Sequence, residues 1–289
     1  MATIAILGTG LLGSGFAEAA LGRGDTVTVW NRTREKAAPL AALGATVAAT
    51  PAEAVQGAER VHLVLKDDAV VEEVLAMARP GVAPEAIIVD HTTTRPDLTA
   101  ARMQRLEAEG VHYLHAPVFI GPAAARLGHG IILVSGPAPL FAQVKPALEL
   151  QAQRVEYWGE RPDLAAAYKL IGNAFLLGMA ALISDVFTIA AGSNLSAMDA
   201  LKLLEIFHPG TILQNRGRNM AQGNFAPSFE LTMARKDVRL MMETAGDRPL
   251  AALPSIAARM DAVIAQGFGA EDFGVIARDA IAEKAGQSA

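Results

Sequence analysis

Lys169 and Asn173 stand four residues apart in "DLAAAYKLIGNAF", a stretch that is otherwise largely apolar and helical in pattern. That separation places both side chains on one helix face. A lysine set among Ala, Leu and Ile is costly to bury without a partner or a task, and burial lowers an amine's pKa toward the range where it can deliver a proton near neutrality. Composition alone leaves a second reading open, a lysine whose stem lies on the helix while its ammonium reaches solvent. The other chemistry-bearing stretch lies near the N-terminus. "IAILGTGLLGSGFA" holds Gly8, Gly10 and Gly13 in the spacing G-x-G-x-x-G, after a strand-like run and at the opening of a helix. In that context Gly8 permits a tight turn, Gly10 lets the backbone approach a pyrophosphate, and Gly13 allows close helix packing. The turn that begins at Leu11 and Leu12 then offers free N–H groups and the positive end of the helix dipole to an anion.

A dinucleotide-binding unit usually carries an Asp or Glu about 20 residues beyond its glycines, to hold the adenosine ribose. Here "TVTVWNRTREK" ends the second strand on Asn31, Arg32 and Thr33 instead. A neutral Asn31 does not repel a 2′-phosphate, Arg32 offers a planar, permanently charged fork, and Thr33 adds a hydroxyl, so the expected cofactor is NADP(H) in preference to NAD(H). A solvated arginine at a helix start is the other reading of Arg32. Open α/β sheets bind ligands at the carboxyl ends of their strands. Further contacts are therefore expected from Leu65 and Lys66, which end "LVLK", and from Thr92 and Thr93 in "IIVDHTTT". Those hydroxyls are candidates for nicotinamide-side or substrate-side groups, or else cap an ordinary turn.

These residues need a frame. Short runs rich in Val, Ile and Leu at 3–8, 26–30, 60–65, 86–91 and 130–136 read as strands, with weaker ones at 45–50 and 111–116. Helical patterns at 12–22, 33–42 and 69–78 alternate with them. The alternation predicts βαβ units and a mainly parallel, doubly wound sheet. After "RVEYWGERPD" the strand signal stops; Pro162 suits a helix's first turn, and the residues beyond it read helical. The expected division is an α/β Rossmann domain over 1–161 and an all-α domain over 162–289, joined by a long helix.

The apolar run over 164–187 is interrupted by Lys169 and Asp185, leaving an uncharged stretch shorter than the ~18 residues of a serious membrane-span candidate, so it reads as a buried helix. Some of its cover is expected from a second subunit, making a homodimer or homotetramer. With 52% hydrophobic residues and a net charge of −5 spread without a basic face, the chain suits a small-molecule partner better than nucleic acid or a membrane. It has no cysteine, which excludes thiolate catalysis and Cys-ligated zinc. No metal is expected, since His112 and His115, three apart in a strand-like run, should face opposite sides of a sheet. No secretory signal pattern opens the chain, and a cytoplasmic protein is the expectation.

Taken in order, "GTGLLG", "NRT", "IIVDHTTT", "HAPVFIG", "YKLIGN" and "ARKDVRL" cover essentially the whole chain and resemble the β-hydroxyacid dehydrogenase family, which includes 3-hydroxyisobutyrate dehydrogenase and the glyoxylate/succinic semialdehyde reductases. The resemblance implies a Rossmann domain joined by a long helix to a helical domain, with the active site in the cleft between them. It implies that Lys169 is the catalytic lysine, Asn173 its positioning partner, and Lys236 a group that closes over the cofactor, with Asp237 nearby. The implied reaction is hydride transfer between NADPH and a small hydroxyacid or semialdehyde-type carbonyl substrate, Lys169 serving the substrate oxygen.

The substrate loop departs from that family's usual Asp-Ala-Pro-Val-Ser-Gly-Gly. His115 replaces the acid, Phe119 the serine and Ile120 the first glycine, leaving Gly121, so these positions predict a bulkier or less polar substrate. Ala165 stands where the family often has glycine, and Gly172 where it has its first asparagine after the lysine. Stretches such as "FIGPA" and "YWGERPDLAAAYKL" resemble imine reductases, whose catalytic position usually carries Asp or Tyr. Imine reduction is therefore the alternative chemistry, and an NADPH-binding protein without catalysis the non-enzymatic one. Lys169 and "ARKDVRL" favour the hydroxyacid dehydrogenase side.

Overall fold

The computed structural model describes residues 1–281. They form two compact units, which divide between Asn173 and Ala174. The division falls inside the long helix Leu164–Gly192 rather than ahead of it, so Lys169 and Asn173 belong with the first unit.

Six parallel strands make the main sheet of the first unit: β1 (Thr3–Leu7), β2 (Thr26–Trp30), β3 (Thr46–Val47), β4 (Arg60–Leu63), β5 (Ile87–Asp90) and β6 (His112–His115). Their order is β3-β2-β1-β4-β5-β6, so the winding reverses between β1 and β4, the point at which such sheets take ligands. Register aligns the strand ends: Leu7 pairs with Trp30 and with Leu63, Leu63 with Asp90, and Asp90 with His115. The loops that carry Gly8–Gly10, Asn31–Thr33, Leu65–Lys66 and Thr92–Thr93 therefore leave the sheet along one edge.

Alternation along the strands divides the core. Ile4, Ile6, Val27, Val29, Val89 and Leu114 face one layer, while Ala5, Leu7, Val61, Leu63, Ile88 and Tyr113 face the other. Each fully buried aliphatic side chain stabilises the fold by about 1.5–3 kcal/mol, which holds the register against a one-residue slip that would turn every side chain over.

The expected strand at 130–136 exists but lies outside the parallel sheet. β7 (Val118–Phe119), β8 (Ile131–Val134) and β9 (Arg154–Tyr157) form a second sheet, β7 antiparallel to β8 and β8 parallel to β9. A single antiparallel bridge, His115 to Ser135, joins it to β6. β7 and β9 are not announced by the sequence: β7 is only two residues long, and β9 is half-polar. The helix expected over 33–42 is broken into Arg34–Lys36 and Ala38–Ala41. Pro39 lacks an N–H and its ring would meet a carbonyl one turn back, which disfavours a continuous helix through that position.

The long helix begins at Leu164, two residues beyond Pro162, and Ser135 fastens its start: the hydroxyl donates to Pro162 O at 3.1 Å and accepts the Ala165 N–H at 3.2 Å. In the second unit, helices Leu231–Ala245 and Leu253–Val263 pack through Leu231, Ala234, Val238, Leu253, Ala257, Met260 and Val263. Asp185, 1% exposed, accepts the backbone N–H groups of Ala251, Ala252 and Leu253 and so holds the start of the latter helix. Gly192 lets the long helix meet Thr244, where a Cβ would stand 1.9 Å from the carbonyl oxygen.

The expectation that this long helix is buried does not hold within one chain. Only 11% of its most apolar 18-residue window is covered, and by length and composition the helix could cross a membrane. Phe175, Leu176, Leu177, Met179, Leu182, Ile183 and Val186 are exposed. The uncharged run is interrupted as the sequence suggests, but the chain's own neighbours are too few to cover a helix apolar on all sides.

Candidate active site

The first strand ends in a backbone cradle. Gly8 has φ +104°, a conformation L side chains rarely adopt, and a Cβ there would lie 2.2 Å from Val64 O. At Gly13 a Cβ would lie 1.9 Å from Gly8 O, so the helix Leu11–Gly22 can approach the strand only without a side chain at that position. Gly10 is different: nothing lies within 4 Å of its missing Cβ, and the space in front of the loop is open. The helix that begins there has no side-chain cap and no acid in its first turn. Leu11, largely exposed, and half-buried Leu12 begin it, so the backbone N–H groups there face outward with the positive dipole end behind them. This cradle fits the pyrophosphate of a dinucleotide.

Beside it, Asn31 Oδ1 accepts the Thr9 N–H at 3.0 Å and its amide nitrogen donates to Thr33 O at 2.9 Å. Asn31 thus ties the end of β2 to the glycine loop using both an acceptor and a donor, which an aspartate could not do. Arg32 and Thr33 are exposed. The Arg32 guanidinium is not free, however: its Nη2 lies 2.5 Å from Oε2 of Glu73, on the helix Asp68–Ala78.

At the next two strand ends, the Leu65 N–H donates to Thr92 Oγ1 at 3.1 Å, and the Thr92 N–H donates to Asp90 Oδ1 at 2.9 Å. Thr92 is buried and links the two loops, the turn-capping role left open by the sequence. Thr93 is half-buried, Leu65 is half-buried, and Lys66 is exposed with its Nζ 3.7 Å from Asp67.

Behind Thr92 lies a buried polar network. Tyr113 donates to Asp90 Oδ2 at 2.6 Å, and Arg102, also buried, bonds Asp68 and Glu72 at 2.7 Å each. Burial and then the Asp90 charge push the Tyr113 hydroxyl well above its ordinary pKa. Burial works against the Arg102 charge, but Tyr113, Asp68 and Asp90 outweigh it and raise its pKa. His115 Nε2 donates to Thr92 O at 2.9 Å and lies 3.0 Å from Thr94 Oγ1. On the other face His91 Nδ1 donates to Ala116 O at 2.7 Å, leaving its Nε2 to accept from His62 Nδ1 at 3.0 Å. Burial pushes the His91 pKa down to about 4 and that of His62 well below the usual value. The loops that carry candidate site residues are thus held by side chains that cannot readily change charge.

Lys169 is 8% exposed, and its Nζ donates to Asn173 Oδ1 at 3.0 Å, one turn on along the same helix. Burial lowers its pKa. The reading in which its ammonium reaches free solvent is not the one the structure shows. The same Nζ stands 3.9 Å from the centroid of the Phe119 ring, at the end of β7. That ring also meets Gly172, where a Cβ would be 2.2 Å from Phe119 Cζ. Half-buried Ile120 turns away to Gly130, and exposed Gly121 precedes the short helix Pro122–Arg126.

The first unit thereby brings the cofactor candidates to one sheet edge, and it brings Lys169, Asn173 and Phe119 together. Lys236 is in the second unit, on the helix Leu231–Ala245, with its Nζ 2.9 Å from Asp237. Sequence reasoning missed Glu73 and the part played by Gly172. Glu73 leaves no signal beyond its place one turn into a helix that starts at Asp67–Asp68. Gly172 does leave one, since it departs from the resembling family's pattern together with Phe119.

Residues 3–159 match the family described as the NAD binding domain of 6-phosphogluconate dehydrogenase. Among curated proteins, the chain is 30% identical to the human cytokine-like nuclear factor N-PAC over 82% of its own length, yet spans only 43% of that relative. It is 27% identical to glyoxylate/succinic semialdehyde reductase 1 of Arabidopsis thaliana, covering 94% of this chain and 96% of the other. Among solved structures, an imine reductase of Streptomyces aurantiacus superposes with a TM-score of 0.86 at 27% identity, over 96% of this chain and 99% of that one.

Proposed function

The chain belongs to the family defined by the NAD binding domain of 6-phosphogluconate dehydrogenase, and on that premise we propose that it uses NADPH to reduce a small carbonyl compound of the hydroxyacid or semialdehyde type, with Lys169 as proton donor. Its coarser identity is an NAD(P)-dependent oxidoreductase of the hydroxyacid dehydrogenase and imine reductase type. One observation carries the finer reading: a buried ammonium whose only hydrogen bond among the described residues is to Asn173, which leaves donor capacity for a substrate oxygen.

A bound nicotinamide supplies the hydride. The chain's own task is at the substrate oxygen. As the carbonyl carbon gains its new C–H bond, the C=O π pair moves onto oxygen. Lys169 Nζ stabilises that developing alkoxide and then gives it a proton, ending as the neutral amine. Asn173 keeps the ammonium turned toward the reacting atom, and the Phe119 face below keeps it charged until it is used. The glycine cradle would hold the pyrophosphate, and Arg32 and Thr33 a 2′-phosphate.

Imine reduction is the second reading, supported by the likeness to the Streptomyces enzyme and by the apolar Phe119 and Ile120 at the substrate loop. The uncovered face from Phe175 to Val186 supports a homo-oligomer in which a second copy of this helix covers it. Initial rates with NADPH and NADH across glyoxylate, succinic semialdehyde, tartronate semialdehyde and cyclic imines test the assignment. Turnover of a carbonyl that Lys169→Ala removes, while NADPH still binds, is the expected result. Turnover that survives the substitution overturns it.

A further inference from the structure

Phe119 and Gly172 lie on separate elements, one at the end of a short strand and the other inside the long helix, yet each takes its form from the other. The ring occupies the space that any side chain at 172 would need, with Cζ, Cε1 and Cε2 at 2.2, 2.9 and 3.1 Å from an ideal Cβ there. Strand pairing of Phe119 with Ile131 fixes the backbone from which the ring reaches the helix. In that position its face lies under Lys169 Nζ. Gly172 therefore does more than tolerate the ring: it allows the ring to reach the ammonium.

An aromatic face attracts a cation and offers no hydrogen-bond donor. A carboxylate brought beside Lys169 on this side would lie against an apolar ring, lose water and find no N–H or O–H in return, which is costly for an ionised group. An alkyl or aryl substituent would instead lose only its contact with water. Half-buried Ile120 extends the apolar character of the loop.

We propose that Phe119 and Gly172 form a coupled specificity pair, which makes the Lys169 site select aldehydes and ketones with an uncharged, apolar substituent over those with a carboxylate beside the ring. This rests on the reading of Lys169 as proton donor and keeps carbonyl reduction, but it moves the preferred substrate away from the carboxylate-bearing hydroxyacid and semialdehyde class toward carbonyl compounds with an apolar substituent.

Butanal and succinic semialdehyde test it, being four-carbon aldehydes that differ in a terminal methyl or carboxylate. With NADPH, wild type is expected to favour butanal at least 10-fold in kcat/KM. Phe119→Ala should cut that preference about 10-fold. Gly172→Ala should do the same, because its methyl pushes the ring aside, and the double variant should add nothing further. Phe119→Leu should keep the preference but shift the alkaline limb of the kcat–pH profile to lower pH, since an apolar side chain remains while the π face that favours the charged amine is gone. Calorimetric binding of the two aldehydes to the NADPH-loaded enzyme gives the same ratio where turnover is slow. Equal handling of the two aldehydes by wild type, binding of neither, or independent effects of the two substitutions overturns the pair. Loss of the proton-donor reading is separable: Lys169→Ala would then keep its turnover, while the aldehyde ratio of the Phe119 and Gly172 variants still scores the pair.

Discussion

The Arg32 guanidinium lies against the carboxylate of Glu73, Nη2 to Oε2 at 2.5 Å, so the cation proposed to meet a 2′-phosphate already has an acid beside it. Both side chains are more than half exposed, and an ion pair of that kind contributes little to stability. Its consequence falls on the cofactor. Glu73 competes with a phosphate for Arg32 and repels it as well. Glu73→Gln should lower the Kd for NADPH about 3- to 10-fold and leave that for NADH within about twofold, the difference shrinking as salt screens the charges. Fluorescence titration of both cofactors at two ionic strengths reads this directly. An unchanged NADPH affinity would show that Arg32 does not meet the phosphate.

Lys169 must be protonated to act as an acid, and burial lowers its pKa below the ordinary lysine value. Reductive kcat should therefore fall as pH rises through that lowered value, at a lower pH than an ordinary lysine would give, the amine losing the proton it has to give. Lys169→Ala should lower kcat by about 10²- to 10⁴-fold and abolish the alkaline limb, with NADPH binding kept. A limb that persists in the variant assigns the titration to another group.

His91 is neutral in the fold, its pKa pushed down to about 4 by burial, against about 6.5 in an unfolded chain. Between those values the unfolded state binds the proton and the folded state does not, so stability is intact above about pH 6.5 and falls as pH drops toward 4. The loss from this residue is about 3 kcal/mol at the acid end, and His62, shifted the same way, adds to it. Urea midpoints measured from pH 7.5 to 4.5 should decline, and His91→Gln should flatten the decline.

Asp185 is the only side chain bonded to the N–H groups of Ala251, Ala252 and Leu253 among the described residues. Burial alone would raise its pKa, but those three bonds hold it below the usual carboxylate value. Asp185→Ala leaves the donors buried without acceptors and should cost about 2–4 kcal/mol in unfolding free energy. Asp185→Asn keeps one acceptor oxygen and should cost less. Equal losses in the two variants would mean that the bonds matter less than the packing around them.

Much of this molecule is set by local pattern. Strands β1, β2, β4 and β5 are short aliphatic runs bounded by turn residues, and the glycine spacing after β1 admits few backbone shapes, so the parallel sheet and its dinucleotide cradle could be read residue by residue. The i, i+4 spacing put Lys169 and Asn173 on one face before any contact was known. Where the signal was weak, the chain went its own way: β7 has too few residues to show a period, β9 carries Arg154 and Glu156 in a run with one aliphatic residue, and Pro39 divided what looked like one helix.

Residue types and spacing thus determined the fold class, the cofactor cradle and the lysine with its asparagine, because each of these is set by neighbours within a few turns of chain. Only the tertiary structure decided that Phe119 lies under Lys169 in the room left by Gly172, that Glu73 reaches Arg32, and that the long apolar helix stands uncovered in a single chain. Those outcomes depend on how distant segments pack, and no local periodicity records which side chain will fill another's missing Cβ.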